Sequence, residues 1–154
     1  MDKIEIVDYK PEYQKDFERL NNHWIEKHFE LEEIDRFILQ NPEEAILKNG
    51  GKIFFASFNN HIIGTVALNN LGNGIMEFAK MAVDDNFHGL GAGKALCESA
   101  ITYAKNLNIK KLVLYSHTKL KAAIAIYHKY GFVARPITDK KYKRPDIYME
   151  LIIQ

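Results

Sequence analysis

Cysteine is almost missing from this 154-residue chain: Cys97 stands alone, which excludes an intrachain disulfide and any zinc site built on several thiolates. Long apolar runs are missing too. No stretch approaches the roughly 18 consecutive apolar residues of a membrane span, and the opening MDKIEIVDYK alternates charge where a signal peptide would carry an apolar core. A cytoplasmic protein is expected. Neither charge sign prevails, with Lys plus Arg at 21 against 20 for Asp plus Glu and a net charge of +1, so no global field draws the chain to nucleic acid or to a membrane. The six histidines form no HExxH, and His23 and His28, five apart, point to different sides of a helix; no metal is expected. No long-period repeat and no Gly/Ser/Pro linker divides the chain, which reads as one domain over 1–154.

What is present suits a packed core: 47% hydrophobic, 27% charged and 12% aromatic residues, in a length that buries roughly 68–70% of the surface of the unfolded chain. IEIVDY alternates as a strand with both faces partly buried, ended by Pro11. Phe17, Leu20, Trp24, Ile25 and Phe29 recur at helical steps over Glu12–Phe29, and a second helix over Leu31–Gln40 stops at Asn41 and Pro42. Two apolar stretches flanking Asn59 and Asn60 read as a hairpin, a second turn falls at NNLGNG, and MEFAKMAV is a further strand. Ala95–Leu107 carries Leu96, Ser99, Ala100, Tyr103 and Leu107 on one helical stripe. KKLVLYS is a buried strand. Leu120, Ala123, Ile124 and Tyr127 mark a helix closed by Gly131, and DIYMELII ends the chain in one or two strands. The order gives an α+β fold: a central mixed, mostly antiparallel sheet flanked by about four helices.

Between MAV and the third long helix lies HGLGAG, residues 88–93, followed by Lys94. A Walker loop fails here, since its first glycine would be His88 and Ala95 stands where Ser or Thr is needed. The dinucleotide fingerprint fails as well, its third glycine falling on Lys94. Gly89, Gly91 and Gly93 still let backbone N–H groups face inward, and the following helix adds its positive N-terminal dipole. The loop therefore either holds a pyrophosphate or is a tight strand-to-helix connection.

MAVDDNFHGLGAG resembles the signature of the GNAT superfamily of acyl-CoA-dependent N-acetyltransferases. Val83, Gly91 and Gly93 match, and His88 stands where Gln or Arg is usual. AAIAIYHKYGF resembles a second family stretch through Ala123, Tyr127, Gly131 and Phe132, with Leu120 where an Asn is usual. The resemblance spans nearly the whole chain and implies acetyl transfer from acetyl-CoA, as cosubstrate, to a primary amine. Met81, Ala82 and Val83 would line the pantetheine arm, and His88, Gly89, Leu90, Gly91, Ala92, Gly93 and Lys94 the phosphates. If the His88 side chain makes the contact, coenzyme affinity becomes pH-sensitive, because an unperturbed imidazole titrates near 6.5.

Such transfer needs a neutral amine, a stabilised oxyanion and a proton for the leaving thiolate. The resemblance assigns Tyr127 as the acid, against its reading as a core tyrosine, and Glu77 as the base, against a solvent-facing edge residue or a water relay. A backbone N–H near Ala82 would hold the oxyanion. Cys97 reads as a packing residue, so transfer is expected to be direct, in a ternary complex. Glu77 and Lys80, three apart on one strand, should leave opposite faces. The acceptor pocket falls to Trp24, Phe29, Asp35, Tyr142, Arg144 and Asp146. Glu26, Glu30 and Asp35 suit a cationic amine or a solvated surface. A small-molecule amine or a protein or peptide amine is the expected partner, with a homodimer as an option. Two other classes compete: a non-catalytic acyl-CoA-binding or regulatory module, and a nucleic-acid binder resting on KKYKR at 140–144, which otherwise reads as a solvated loop.

Overall fold

The computed structural model describes residues 3–137 and 144–153. A seven-stranded sheet runs in the order β1-β2-β3-β4-β5-β7-β6. Its strands are β1 Ile4–Asp8, β2 Lys52–Phe58, β3 His61–Gly72, β4 Ile75–Val83, β5 Lys111–Ser116, β6 Val133–Arg135 and β7 Ile147–Ile152. Among the described residues only β4 and β5 pair in parallel. The helices are α1 Gln14–His28, α2 Glu33–Gln40, α3 Pro42–Ala45, α4 Ala92–Asn106 and α5 Lys121–Lys129, so the α+β reading with a mixed, mostly antiparallel sheet holds.

The sheet is buried on both faces, which is why β2 and β3 read as apolar runs instead of alternating ones. Ile53, Phe55 and Ala67 pack with Phe17 and Ile25 of α1 and Leu39 of α2. Phe54, Leu68, Phe78 and Leu112 pack on the other face with Leu96, Cys97 and Ala100 of α4 and Tyr127 of α5. Burying one such side chain contributes about 1.5–3 kcal/mol.

Several boundaries differ from the sequence reading, each for a local reason. α4 starts at Ala92, and its buried stripe is Leu96, Cys97, Ala100, Ile101 and Ala104, while Leu107 is 49% exposed just past the helix end. Pro42 stops α2 but also opens α3, because its fixed φ and missing N–H suit a first helical position. α2 begins two residues later than expected, at Glu33, where Glu32 and Asp35 form a capping box. In NNLGNG the strand continues to Gly72, and only Asn73 and Gly74 turn, at φ 55° and 77°. Gly131 closes α5 at φ 98° as expected.

The largest correction concerns Lys80. Ala67 pairs with Ala79 but Thr65 pairs with Ala82, so β4 carries one residue more than β3 there. Lys80 takes φ 58° at this bulge, a left-handed conformation costing a non-glycine residue about 1–2 kcal/mol. The extra residue cancels the odd parity. Lys80 thus reaches the α1/α2 face, the same face as Ala79 and Glu77.

Candidate active site

β4 and β5 run together only through Ile75–Lys111, Met76–Leu112 and Glu77–Val113. Past Glu77 they part, and Phe78–Val83 keeps strand pairing to β3 alone among the described residues. A cleft of about 420 Å³ opens in the split. The β4 edge that faces it offers backbone N–H and C=O groups, so an extended ligand can add to it as a strand would.

At the end of β4 the chain turns through Asp84, whose Oδ1 accepts from the Asn86 N–H at 2.9 Å, and enters the glycine loop. Gly89 and Gly91 sit at φ 80° and 83°, and a Cβ on either would meet nothing within 4 Å. Conformation, not crowding, therefore demands glycine at both. Gly91 is the N-cap of α4 and supplies no side chain. The first helical bond joins the Ala95 N–H to the Gly91 C=O at 3.0 Å, which leaves the N–H groups of Ala92, Gly93 and Lys94 without helix partners. Positive dipole, bare amides and room for close approach are the features that suit a helix end to an anion. His88, Gly89, Gly91, Ala92, Gly93 and Lys94 line the cleft, and Leu90 points outside it, 43% exposed. His88 Nε2 lies 3.0 Å from Asp85 Oδ1, and the same carboxylate meets His23 Nε2 at 2.7 Å and Lys27 Nζ at 3.2 Å. His23, His88 and Lys27 hold the Asp85 carboxyl well below the usual range, and the loop is thereby tied to α1.

Two side chains approach the split from opposite faces. Tyr127 packs edge-on against Phe78 (5.6 Å between centroids) and Phe132 (5.9 Å), lines the cleft and is 7% exposed. Burial, and secondarily the neighbouring Cys97, pushes its phenol well above the usual value, so it stays protonated at neutral pH. Glu77 comes from the other face. It is 2% exposed, accepts from Asn69 Nδ2 at 3.4 Å and lines the cleft. It is a buried residue of a central strand, not an edge one. Cys97 is fully buried, its thiol pushed up to about 12 by burial and by Glu98, and the cleft lining excludes it.

The α1 side of the cleft is lined by Asn21, Trp24, Phe29, Lys80, His117 and Arg144, among others. Behind them sits Asp35, 0% exposed and outside the lining. It accepts from Lys80 Nζ at 2.8 Å, from both terminal nitrogens of Arg144 at 3.0 Å, and from the Glu32 N–H at 3.0 Å. Burial pushes the Asp35 carboxyl up, but the Arg144 and Lys80 donors outweigh it and bring it down to about 2. Burial lowers the Lys80 ammonium, with Asp35 opposing.

The family model for the acetyltransferase (GNAT) family matches residues 10–132. The chain belongs to that family. Solved structures agree on the fold. A GNAT-family acetyltransferase from Staphylococcus aureus Mu50 superposes with a TM-score of 0.88 at 24% identity, covering 98% of this chain and 99% of that one. The yncA protein of Salmonella typhimurium, solved with its cofactor acetyl-CoA, gives 0.79 at 18% identity over 98% and 94%. The spermidine N-acetyltransferase of Vibrio cholerae, a dodecamer, gives 0.73 at 19% over 98% and 94%.

On this GNAT scaffold the residues proposed from sequence separate into groups. Met81, Ala82, Val83, Glu77, Tyr127, Trp24, Phe29 and Arg144 share the cleft, with Leu120 where the family's Asn is usual. Asp35 and Leu90 do not line it. Glu26 and Glu30 are exposed and outside it. Asp146 lies outside it too, taking the Thr118 N–H and hydroxyl at 2.8 and 2.7 Å. Tyr142 and all of KKYKR except Arg144 lie outside the described residues. Asn21, Lys80, Tyr115 and His117 also line the cleft and were not among the sequence candidates. Asn21 carried a signal, a polar residue on the buried stripe of α1; Lys80 carried one as a charge in an apolar strand. No helix among the described residues is long and apolar enough to cross a membrane.

Proposed function

We propose that residues 1–154 act as one N-acetyltransferase domain, moving an acetyl group from acetyl-CoA to a primary amine by direct attack in a ternary complex. One observation carries this reading: the uncapped N-terminus of α4, the bare edge of β4, Tyr127 and Glu77 all open on a single cleft. The edge at Met81–Val83 pairs the extended pantetheine arm, and the loop and Ala92–Lys94 amides take the pyrophosphate. Glu77 accepts the proton that the amine must lose, directly or through water. The neutral amine nitrogen then attacks the thioester carbonyl, an N–H near Ala82 stabilises the oxyanion, and the C–S bond breaks as Tyr127 donates a proton to sulfur; the second proton lost by the nitrogen of the tetrahedral intermediate returns through water to the Tyr127 phenolate. The buried, protonated Cys97 supports direct transfer over an acetyl-enzyme, since the nucleophile would have to be a thiolate.

A broad panel of amines and peptides with acetyl-CoA, read by thiol release, tests the reading. Tyr127→Phe should lower kcat by about 10²-fold or more, the usual scale of general-acid catalysis, with coenzyme affinity little changed, and Cys97→Ala should keep wild-type turnover. No turnover on any acceptor despite tight coenzyme binding would point instead to a non-catalytic acyl-CoA module.

A further inference from the structure

Asp35 is the hub of a buried network that the transfer chemistry above does not use. It is fully enclosed, and its two oxygens already accept four hydrogen bonds, three of them from cationic side chains. A carboxylate so filled has no lone pair left for an incoming amine. It joins three separate pieces of the fold: the start of α2, the bulge of β4 and Arg144 ahead of β7. The Lys80 side chain is 5% exposed, and its ammonium reaches Asp35 from a residue that adopts φ 58°. The next residues, Met81, Ala82 and Val83, form the β4 edge along the cleft. The direction of their amides follows from the turn at Lys80, because the bulge changes which way each later peptide points.

We propose that Asp35 is a positioning residue that clamps Lys80 in its left-handed conformation and thereby aims the backbone amides of Met81 and Val83 into the cleft, while the amide of Ala82 between them faces β3, as that of Asp84 does in bonding the Ile63 C=O. This rests on the N-acetyltransferase reading, in which those amides face the pantetheine arm and the oxyanion. The clamp works through the backbone, so its side-chain chemistry is dispensable once the backbone conformation is secured by other means. Glycine at position 80 secures it, since glycine takes positive φ without the Cβ penalty. Alanine does not.

The test compares Asp35→Asn, Asp35→Asn/Lys80→Gly and Asp35→Asn/Lys80→Ala in kcat for acetyl transfer and in the 15N–1H shifts of the Met81 and Val83 amides. Asp35→Asn should lower kcat at least tenfold and displace both amide signals. Adding Lys80→Gly should restore kcat to within about threefold of wild type and return the signals, although glycine lowers the unfolding midpoint further. Adding Lys80→Ala should restore neither. A purely structural role for Asp35 gives no such selective rescue. Equal behaviour of the glycine and alanine doubles, or a kcat for Asp35→Asn within twofold of wild type, overturns the proposal. If Asp35→Asn does not fold, the single variants decide: Lys80→Gly should stay within about threefold of wild type and Lys80→Ala fall at least tenfold, and equal values reject the clamp. A wild-type chain that acetylates no acceptor defeats the transfer reading alone, and the amide shifts then still report on the clamp.

Discussion

Asp35 shows how burial and pairing decide a titration together. Enclosure alone would raise its pKa, yet the Arg144 guanidinium and Lys80 ammonium bring the carboxyl to about 2, against about 3.9 in an unfolded chain. A depressed folded value means that the unfolded state binds the proton first as pH falls. The stabilisation from Asp35 is therefore complete above pH 4 and lost as pH falls toward 2. The shift corresponds to about 2–3 kcal/mol, a sizeable part of the 5–15 kcal/mol typical of a native protein. Urea unfolding between pH 5 and pH 2 should show that loss in the wild type. Asp35→Asn should be less stable by about 3 kcal/mol at pH 7, because Lys80 and Arg144 lose their buried counter-charge, and its curve should be flatter between pH 4 and pH 2. Parallel curves for the two proteins would remove Asp35 from this account.

At the scale of elements, Gly91 and Gly93 stand two residues apart with different duties. Gly91 caps α4 at φ 83°, whereas Gly93 is helical and an added Cβ would sit 3.4 Å from Ile126 Cδ1. Gly91→Ala should cost about 1–2 kcal/mol, which for a chain of this size lowers Tm by about 2–4 °C per kcal/mol, and should weaken acetyl-CoA binding as well. Gly93→Ala gains helix propensity of about 1 kcal/mol, so its Tm without ligand should hold or rise while acetyl-CoA affinity falls. Melting curves with calorimetric titration separate the two, and equal Tm losses would place both glycines in one role. That loop was legible in sequence because positive φ and bare amides need glycine at fixed places. The hairpin at Asn59 and Asn60, with φ 49° and 65°, was legible for the same reason. The bulge at Lys80 was not, since nothing in MEFAKMAV marks an extra residue: a bulge is defined by its partner strand, and one residue of slip reverses every side chain after it. The roles of Asp35 and Arg144 as mutual partners were hidden likewise, because the contact joins α2 to the approach to β7, and sequence spacing does not report distance across a fold.

For the whole molecule, the consequence of the split sheet is mechanical. β1 through β4 form one antiparallel half and β5, β7 and β6 the other, and the strands that join them pair only over Ile75–Glu77 and Lys111–Val113. α4 and α5 cover the seam on one face through Leu96, Ala100 and Tyr127. A ligand that fills the cleft and pairs with the open β4 edge replaces the missing ladder and ties the halves together. Binding to the folded state alone stabilises by about 2.7 kcal/mol at a hundredfold excess over Kd, and the location of that gain distinguishes how the ligand is held. Amide hydrogen exchange with and without saturating acetyl-CoA should show new protection at Phe78–Val83 as well as at His88–Lys94. Protection at the loop but not along β4 would mean that the phosphates are gripped while the arm lies free of the strand. The halves would then be no better joined than before, and the edge of β4 would have to be assigned to the acceptor instead.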